Sequence, residues 1–244
     1  MSRHLLLIFL LLSGFSFTTS AQLPITFQAE DGLVISADWY PVNDDDPVIL
    51  LCHQNRFSRG EFREIAPRLN KFGFNCLAID QRVGDEINGV KNETAERAIK
   101  KGLKPSFADA EADIVAAVNY LYAKYNKEII IVGSSYSASL ALKVANNNPK
   151  VLGVAVFSPG EYFKDHDLVK NSVNGMQKPL FATSSKDESG AVVELLKDIN
   201  SRIKVQYIPK SEGQHGCKAL WTSSDGNEEY WIVLMNYLAH LKNL

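Results

Sequence analysis

The feature that most constrains this chain is the recurrence of short runs with no polar face. Val48-Ile49-Leu50-Leu51-Cys52, Ile129-Ile130-Ile131-Val132 and Val151-Leu152-Gly153-Val154-Ala155-Val156-Phe157 are apolar at almost every position. A strand with one wet side alternates polar and apolar residues. A strand without alternation is covered on both sides, as in the middle of a parallel sheet. Between these runs, apolar residues recur at helical spacing: Phe62, Ile65, Leu69 and Phe72, then Phe107, Ile114, Val118 and Leu121, then Trp231, Leu234, Met235 and Leu238. Further strands are read at 74–79, 128–132, 179–183 and 203–208, and further helices at 135–147, 191–199 and 228–241. Parallel strands need crossover connections, so this alternation predicts one α/β domain with about eight mostly parallel strands and helices on both faces. Segments 25–28 and 33–40 flank Asp31-Gly32, a hairpin signal that adds an antiparallel edge.

Two polar excursions interrupt the rhythm, at 81–106, with a short helix around 94–101, and at 158–178. Long excursions in compact domains are often functional. Neither is long enough for a large cap domain.

The chain has 244 residues, 45% of them hydrophobic, which excludes a disordered chain. A net charge of −2 without a basic patch argues against nucleic acid as a partner. Residues 1–21 have a basic start (Arg3, His4), an apolar run from Leu5 to Leu12 and a small-residue exit through Thr19 and Ala21. That is the pattern of a secretory signal peptide, with the mature domain at 22–244. The alternative is an uncleaved anchor, but the apolar run is short against the ~20 residues that span a bilayer. The expectation is an exported protein, periplasmic or secreted, with no stable membrane insertion after cleavage. Export permits disulfides. Cys52, Cys76 and Cys217 are odd in number and lack metal-ligand spacing. Cys52 and Cys76 fall in predicted strands and are read as buried thiols, with a disulfide between them left open. Oligomeric state has no signature here.

The chemistry centres on Val132-Gly133-Ser134-Ser135-Tyr136-Ser137-Ala138. A buried strand runs straight into a helix through Gly-x-Ser-x-Ser. In the related Gly-x-Ser-x-Gly elbow, small residues let strand and helix approach closely and lift the central serine above the sheet. Ser137 replaces the second glycine and is still small. Ser135 would sit at a helix N-terminus, where the dipole favours developing negative charge, and the Tyr136 N–H would be one oxyanion donor. Ser134 and Ser137 are not at the central position.

A serine needs a base, and the base needs an acid to orient it. After an elbow of this kind the chain order is serine, acid, histidine. His166 lies in a charged loop run and His240 in the last helix, whereas His215 sits between glycines just after the last strand, in Glu212-Gly213-Gln214-His215-Gly216. Asp187, a short turn after the strand at 179–183, is the expected acid, with helix capping as its alternative role. Glu161, after the preceding strand, is the runner-up acid.

With serine, acid and histidine in this order, the chain resembles the α/β-hydrolase superfamily, most closely its compact dienelactone-hydrolase and serine-esterase or lysophospholipase-like branch. The resemblance covers nearly all of the mature chain. Leu51-Cys52-His53-Gln54 stands where the family writes His-Gly before its second oxyanion donor, which implies Gln54, or Asn55 beside it, as that donor. Asp80-Gln81-Arg82 is similar to a structural Asp-x-Arg of the family. Dienelactone hydrolases proper carry cysteine as nucleophile. Ser135 in that place implies an ester-type substrate.

The resemblance implies an α/β-hydrolase fold and acyl transfer from a small-molecule substrate by Ser135, His215 and Asp187, with Tyr136 and Gln54 holding the oxyanion and no cofactor or metal required. His53, Glu161 and Tyr162 are candidate pocket residues. Two other classes remain open: a serine peptidase of the same fold, for which Glu161 would supply an acidic group, and a non-catalytic binding protein on this scaffold.

Overall fold

The computed structural model describes residues 22–244, so the expected signal segment lies outside the described residues. Eight strands form one sheet: β1 Leu23–Gln28, β2 Val34–Tyr40, β3 Val48–Cys52, β4 Asn75–Ile79, β5 Ile129–Ser134, β6 Val151–Phe157, β7 Leu180–Thr183 and β8 Lys204–Tyr207. Their spatial order is β1-β2-β4-β3-β5-β6-β7-β8. The β1–β2 and β2–β4 pairs are antiparallel, and every other pair is parallel. The helices are α1 Ile65–Lys71, α2 Glu93–Lys100, α3 Glu111–Tyr125, α4 Tyr136–Ala145, α5 Leu168–Ser172, α6 Ser189–Leu196 and, after the last strand, α7 Asn227–Leu241.

The apolar runs behave as their composition requires. Side chains alternate across a strand, so each run feeds two cores. Val48, Leu50, Ile129, Ile131, Val154 and Val156 join α3 and α4 on one face. Ile49, Leu51, Ile130, Val132, Ala155 and Phe157 join α1 and α7 on the other. This layering places the C-terminal ends of β3, β5, β6 and β7 along one edge, where the loops carrying the candidate residues emerge.

Helix boundaries differ from expectation at several places: the helix read at 191–199 is Ser189–Leu196, and the one read at 135–147 is Tyr136–Ala145. Phe107 opens a 3-10 turn, Phe107–Ala110, ahead of α3. Phe72 is exposed, because α1 stops at Lys71 and Gly73, at φ +73°, turns the chain into β4.

The excursion after β4 is anchored by buried ion pairs. Arg59 pairs with Asp38, Asp80 and Glu93, and Arg82 with Asp113 and Asp31. The Asp80-Gln81-Arg82 segment is therefore structural: Asp80 is neutralised by Arg59, and Arg82 by Asp113 and Asp31, beneath the excursion. Asn92 caps α2 by accepting from the Ala95 amide at 2.8 Å and donates to the Gln81 carbonyl at 2.9 Å.

The open question about Cys52 and Cys76 is resolved by the pleat. Cys76 pairs across β3–β4 with Ile49, not Cys52. Cys52 faces the α3–α4 core and Cys76 the α1–α7 core. All three cysteines are free and buried. Alkylation of the protein after unfolding without reductant should count three thiols, and reductant should leave the melting temperature unchanged. A count of one would mean a bridge that this register forbids.

Candidate active site

The elbow is built by a close approach. A Cβ added at Gly133 would lie 2.6 Å from the Ala138 Cα and 2.7 Å from the Ser137 carbonyl oxygen, so only glycine lets α4 rest on the end of β5. Ser137, in the second small position, is fully buried and more than a spacer. Its hydroxyl donates to the His53 carbonyl at 2.6 Å and meets the Gln81 amide, tying the helix to the loops after β3 and β4. Between these constraints Ser135 adopts φ +59°, ψ −125°. Such backbone angles cost an L-residue of order 1–3 kcal/mol and persist only where the surroundings impose them.

Ser135 Oγ lies 2.8 Å from His215 Nε2, and His215 Nδ1 lies 2.5 Å from Glu188 Oε1. The acid beside the histidine is therefore Glu188, and the expectation of Asp187 is corrected. Asp187 is exposed, and its carboxylate accepts from the Ser185 hydroxyl at 2.6 Å. Glu188 is half-buried at the N-cap of α6 and reaches inward with one more methylene. Burial works to raise the Glu188 pKa. Its hydrogen bonds from His215, the Ser158 hydroxyl (2.6 Å) and the Ser185 amide outweigh that and hold the carboxyl at about 2. In return the Glu188 bond raises His215 above its usual value, against partial burial.

Ser158, which sequence reasoning missed, connects acid and base: it donates to Glu188 and accepts from the Gly216 amide at 3.0 Å. It adopts φ +53° at the end of β6. Gly216, at φ +68°, fits only as glycine, because a Cβ there would collide with Ser134 Oγ and lie 2.9 Å from Gln54 Oε1.

Three other expectations are corrected. The Gln54 amide is not free to hold an oxyanion, because it donates to the buried Glu61 carboxylate at 2.8 Å. Glu61 belongs to no sequence motif. His53 has no exposed surface with which to meet a substrate. It is fully buried, burial pushes its pKa down to about 4, its Nδ1 lies 2.8 Å from the Gln54 carbonyl, and its Nε2 accepts from the Gln81 amide at 3.0 Å. Glu161 binds the first amides of α5, Val169 at 2.9 Å and Lys170 at 2.8 Å, so it caps a helix. His166 and His240 are exposed, and the imidazole bonded to Ser135 is that of His215.

Tyr162 does stand at the site. Its ring is edge-on to His215 at 6.4 Å, and its hydroxyl donates to the Ser158 carbonyl at 2.8 Å. It is also one wall of a groove of about 510 Å³, lined mainly by apolar groups of Val83, Pro105, Phe107, Phe163 and Leu168. Phe107 stacks on Tyr136, the residue after Ser135, at 4.6 Å. A larger and more polar depression of about 1240 Å³ lies between β1 and α3. Neither depression is lined by Ser135, His215 or Glu188; the apolar groove adjoins them through Tyr162.

A serine hydroxyl, an imidazole and a carboxylate in one hydrogen-bonded row can activate an oxygen nucleophile. The Tyr136 amide, first in α4, has no carbonyl within the helix to bond and is free to stabilise an anion. With that geometry established, residues 33–208 match the dienelactone hydrolase family. The chain belongs to that family. No curated protein sequence matches it. Among solved structures it is similar to an esterase of Pyrococcus furiosus (19% identity, TM-score 0.68, 91% of this chain and 93% of that one). It is also similar to a dienelactone hydrolase from Anabaena variabilis (15% identity, TM-score 0.70, 90% and 97%). A third likeness is to an acylaminoacyl peptidase of Pyrococcus horikoshii (13% identity, TM-score 0.65, 91% of this chain but 41% of that one). These likenesses establish the α/β-hydrolase fold, and family membership makes the chain a hydrolase.

The strained elbow yields a stability prediction. Glycine adopts the Ser135 backbone angles without strain, so Ser135→Gly should raise the melting temperature by about 2–4 °C, the equivalent of ~1 kcal/mol in a domain of this size. Ser135→Ala, which keeps the Cβ, should leave it unchanged. Calorimetry of the two variants beside the parent decides the matter; equal melting temperatures for both would mean that no strain is stored there.

Proposed function

We propose that this protein is an exported serine hydrolase that cleaves esters of small apolar acyl groups through an acyl-enzyme. The observation that carries the reading is the row Ser135–His215–Glu188 at the tip of a strained strand-to-helix turn. Ser135 attacks the carbonyl carbon as His215 Nε2 takes its proton. Glu188 holds the imidazole by Nδ1 and stabilises the imidazolium. The oxyanion rests on the Tyr136 amide and on the Asn55 amide, since that of Gln54 is engaged by Glu61. The imidazolium returns its proton to the leaving alkoxide, and the same residues then direct water at the acyl-enzyme.

The apolar groove walled by Tyr162 supports an aliphatic or aromatic acyl chain as its occupant. The peptidase alternative relied on an acidic group at Glu161, whose carboxylate binds the α5 amides instead. Export rests on the composition of residues 1–21 alone. Among the described residues, no helix is long and apolar enough to cross a membrane.

A fluorophosphonate should label Ser135 in the mature protein, and Ser135→Ala and His215→Ala should abolish labelling. With p-nitrophenyl esters, kcat/KM should rise from acetate towards hexanoate, because each buried methylene contributes about 0.8 kcal/mol. No adduct on Ser135 would overturn the hydrolase reading in favour of a binding protein. An adduct with hydrolysis of peptide but not ester substrates would favour the peptidase.

The acid assignment is tested separately. Glu188→Gln should lower kcat by about 10³–10⁴-fold, whereas Asp187→Asn should stay within about threefold. The base works unprotonated, so a raised His215 pKa places the acid limb of kcat/KM above pH 6.5 in the parent. Glu188→Gln removes the largest cause of that rise and should move the limb to lower pH, while Asp187→Asn should leave it in place.

A further inference from the structure

Glu61 is a carboxylate with no exposure, and among the described residues no cation forms an ion pair with it. It sits in the 3-10 turn Arg59–Phe62, where its neighbour Arg59 turns away to Asp38, Asp80 and Glu93. Burying an unpaired carboxylate is costly unless hydrogen bonds compensate it. Burial does push its pKa up to about 7. Stability alone would be served as well by an uncharged side chain of the same size, so the partners of this carboxylate are the informative feature.

Those partners come from the segments that carry the chemistry. Oε2 accepts from the Gln54 amide at 2.8 Å, in the turn after β3. Oε1 accepts from the Ser134 hydroxyl at 2.8 Å, on the residue before Ser135. Ser134 Oγ in turn accepts from the Cys217 amide at 2.8 Å, two residues after His215. The Glu61 carbonyl accepts from Trp221 Nε1 at 2.9 Å, fastening the far end of the base's loop. The titratable groups facing the carboxylate are His215 and Cys217 on that loop, Cys52 on β3 and Tyr136 on α4. Of these, only His215 becomes a cation in the reaction.

Resting on the hydrolase reading above, we propose that Glu61 is the positioning residue of this site: its buried carboxylate holds the turn after β3, the nucleophile's strand and the base's loop in one register. It fixes the oxyanion-binding amide of that turn relative to Ser135 without touching substrate. By occupying the Gln54 amide it passes the second donor position to Asn55, the exposed residue next in the turn. Its negative charge also favours the His215 imidazolium that forms as Ser135 attacks.

The test is Glu61→Gln, measured against a p-nitrophenyl ester and an alkylboronic acid whose tetrahedral adduct on Ser135 mimics the oxyanion. A Gln side chain accepts at one atom and presents an NH₂ to the other donor, so it satisfies one of the two partners. Loss of a single oxyanion donor costs about 10²–10³-fold, and displacement of one should lower kcat by about 10–100-fold, with boronate affinity falling by the same factor and KM changing by less than about threefold. A kcat within about threefold of the parent, or a fall in kcat with boronate affinity unchanged, overturns the proposal. Should Glu61→Gln not fold, Ser134→Ala decides: it keeps the Gln54 bond and cuts the link to the base's loop. Here at least a threefold (~0.7 kcal/mol) loss of kcat at unchanged KM supports the proposal, and an unchanged kcat overturns it. A parent protein that neither hydrolyses esters nor reacts with the phosphonate refutes the hydrolase reading itself, whereas an active parent with full-rate variants refutes only the role of Glu61.

Discussion

The close approach of α4 to the end of β5 is the constraint on which the rest of the site depends. Gly133 permits it, and Ser135 absorbs the resulting turn in a backbone conformation that L-residues rarely adopt. The turn holds because both of its flanks are fastened. Ser137 bonds the His53 carbonyl, and Ser134 bonds Glu61. The serines beside the nucleophile thus hold the elbow in place, and the second glycine of the usual pattern is dispensable because the hydroxyl that replaces it has an acceptor waiting. The strain is local, while the packing that opposes it is spread over two cores on the faces of a continuous sheet.

Two glutamates near His215 show how environment divides one chemical group into two roles. Glu188 is partly buried, but three hydrogen bonds to its charged form keep it ionised far below neutral pH. Glu61 is wholly buried, and its two hydrogen bonds do not offset desolvation, so its pKa rises to about 7. The first faces the imidazole directly. The second lies behind the elbow, bonded to Gln54 and Ser134 and through Ser134 to Cys217, and bears on His215 only by charge. The sign of each shift follows from which effect is larger, burial or hydrogen bonding.

Much of the architecture was readable along the chain. The apolar runs at β3, β5 and β6, the hairpin at Asp31-Gly32, the elbow around Ser135 and the histidine after the last strand all follow from local composition and order. The readings that failed share a cause. Asp187 and Glu188 are adjacent carboxylates after β7, and which one turns inward depends on how the chain enters α6. Glu161, His53 and Gln54 are polar residues at plausible loop positions, but each is engaged by a partner distant in sequence or by a helix end that spacing does not reveal. Glu61 carried no motif, because its partners lie seven, 73 and 160 residues away in the chain.

The sequence by itself determined the sheet, its mostly parallel order, and the choice of Ser135 and His215 as the pair to look for, because periodicity and turn chemistry act over a few residues. Only the tertiary structure decided which carboxylate bonds His215, the engaged Gln54 amide, the opposite faces of Cys52 and Cys76, and the groove beside Tyr162. Each of these depends on where two remote segments meet, and that meeting is set by sheet register and by the hydrogen bonds of buried polar groups, which leave no periodic trace in the chain.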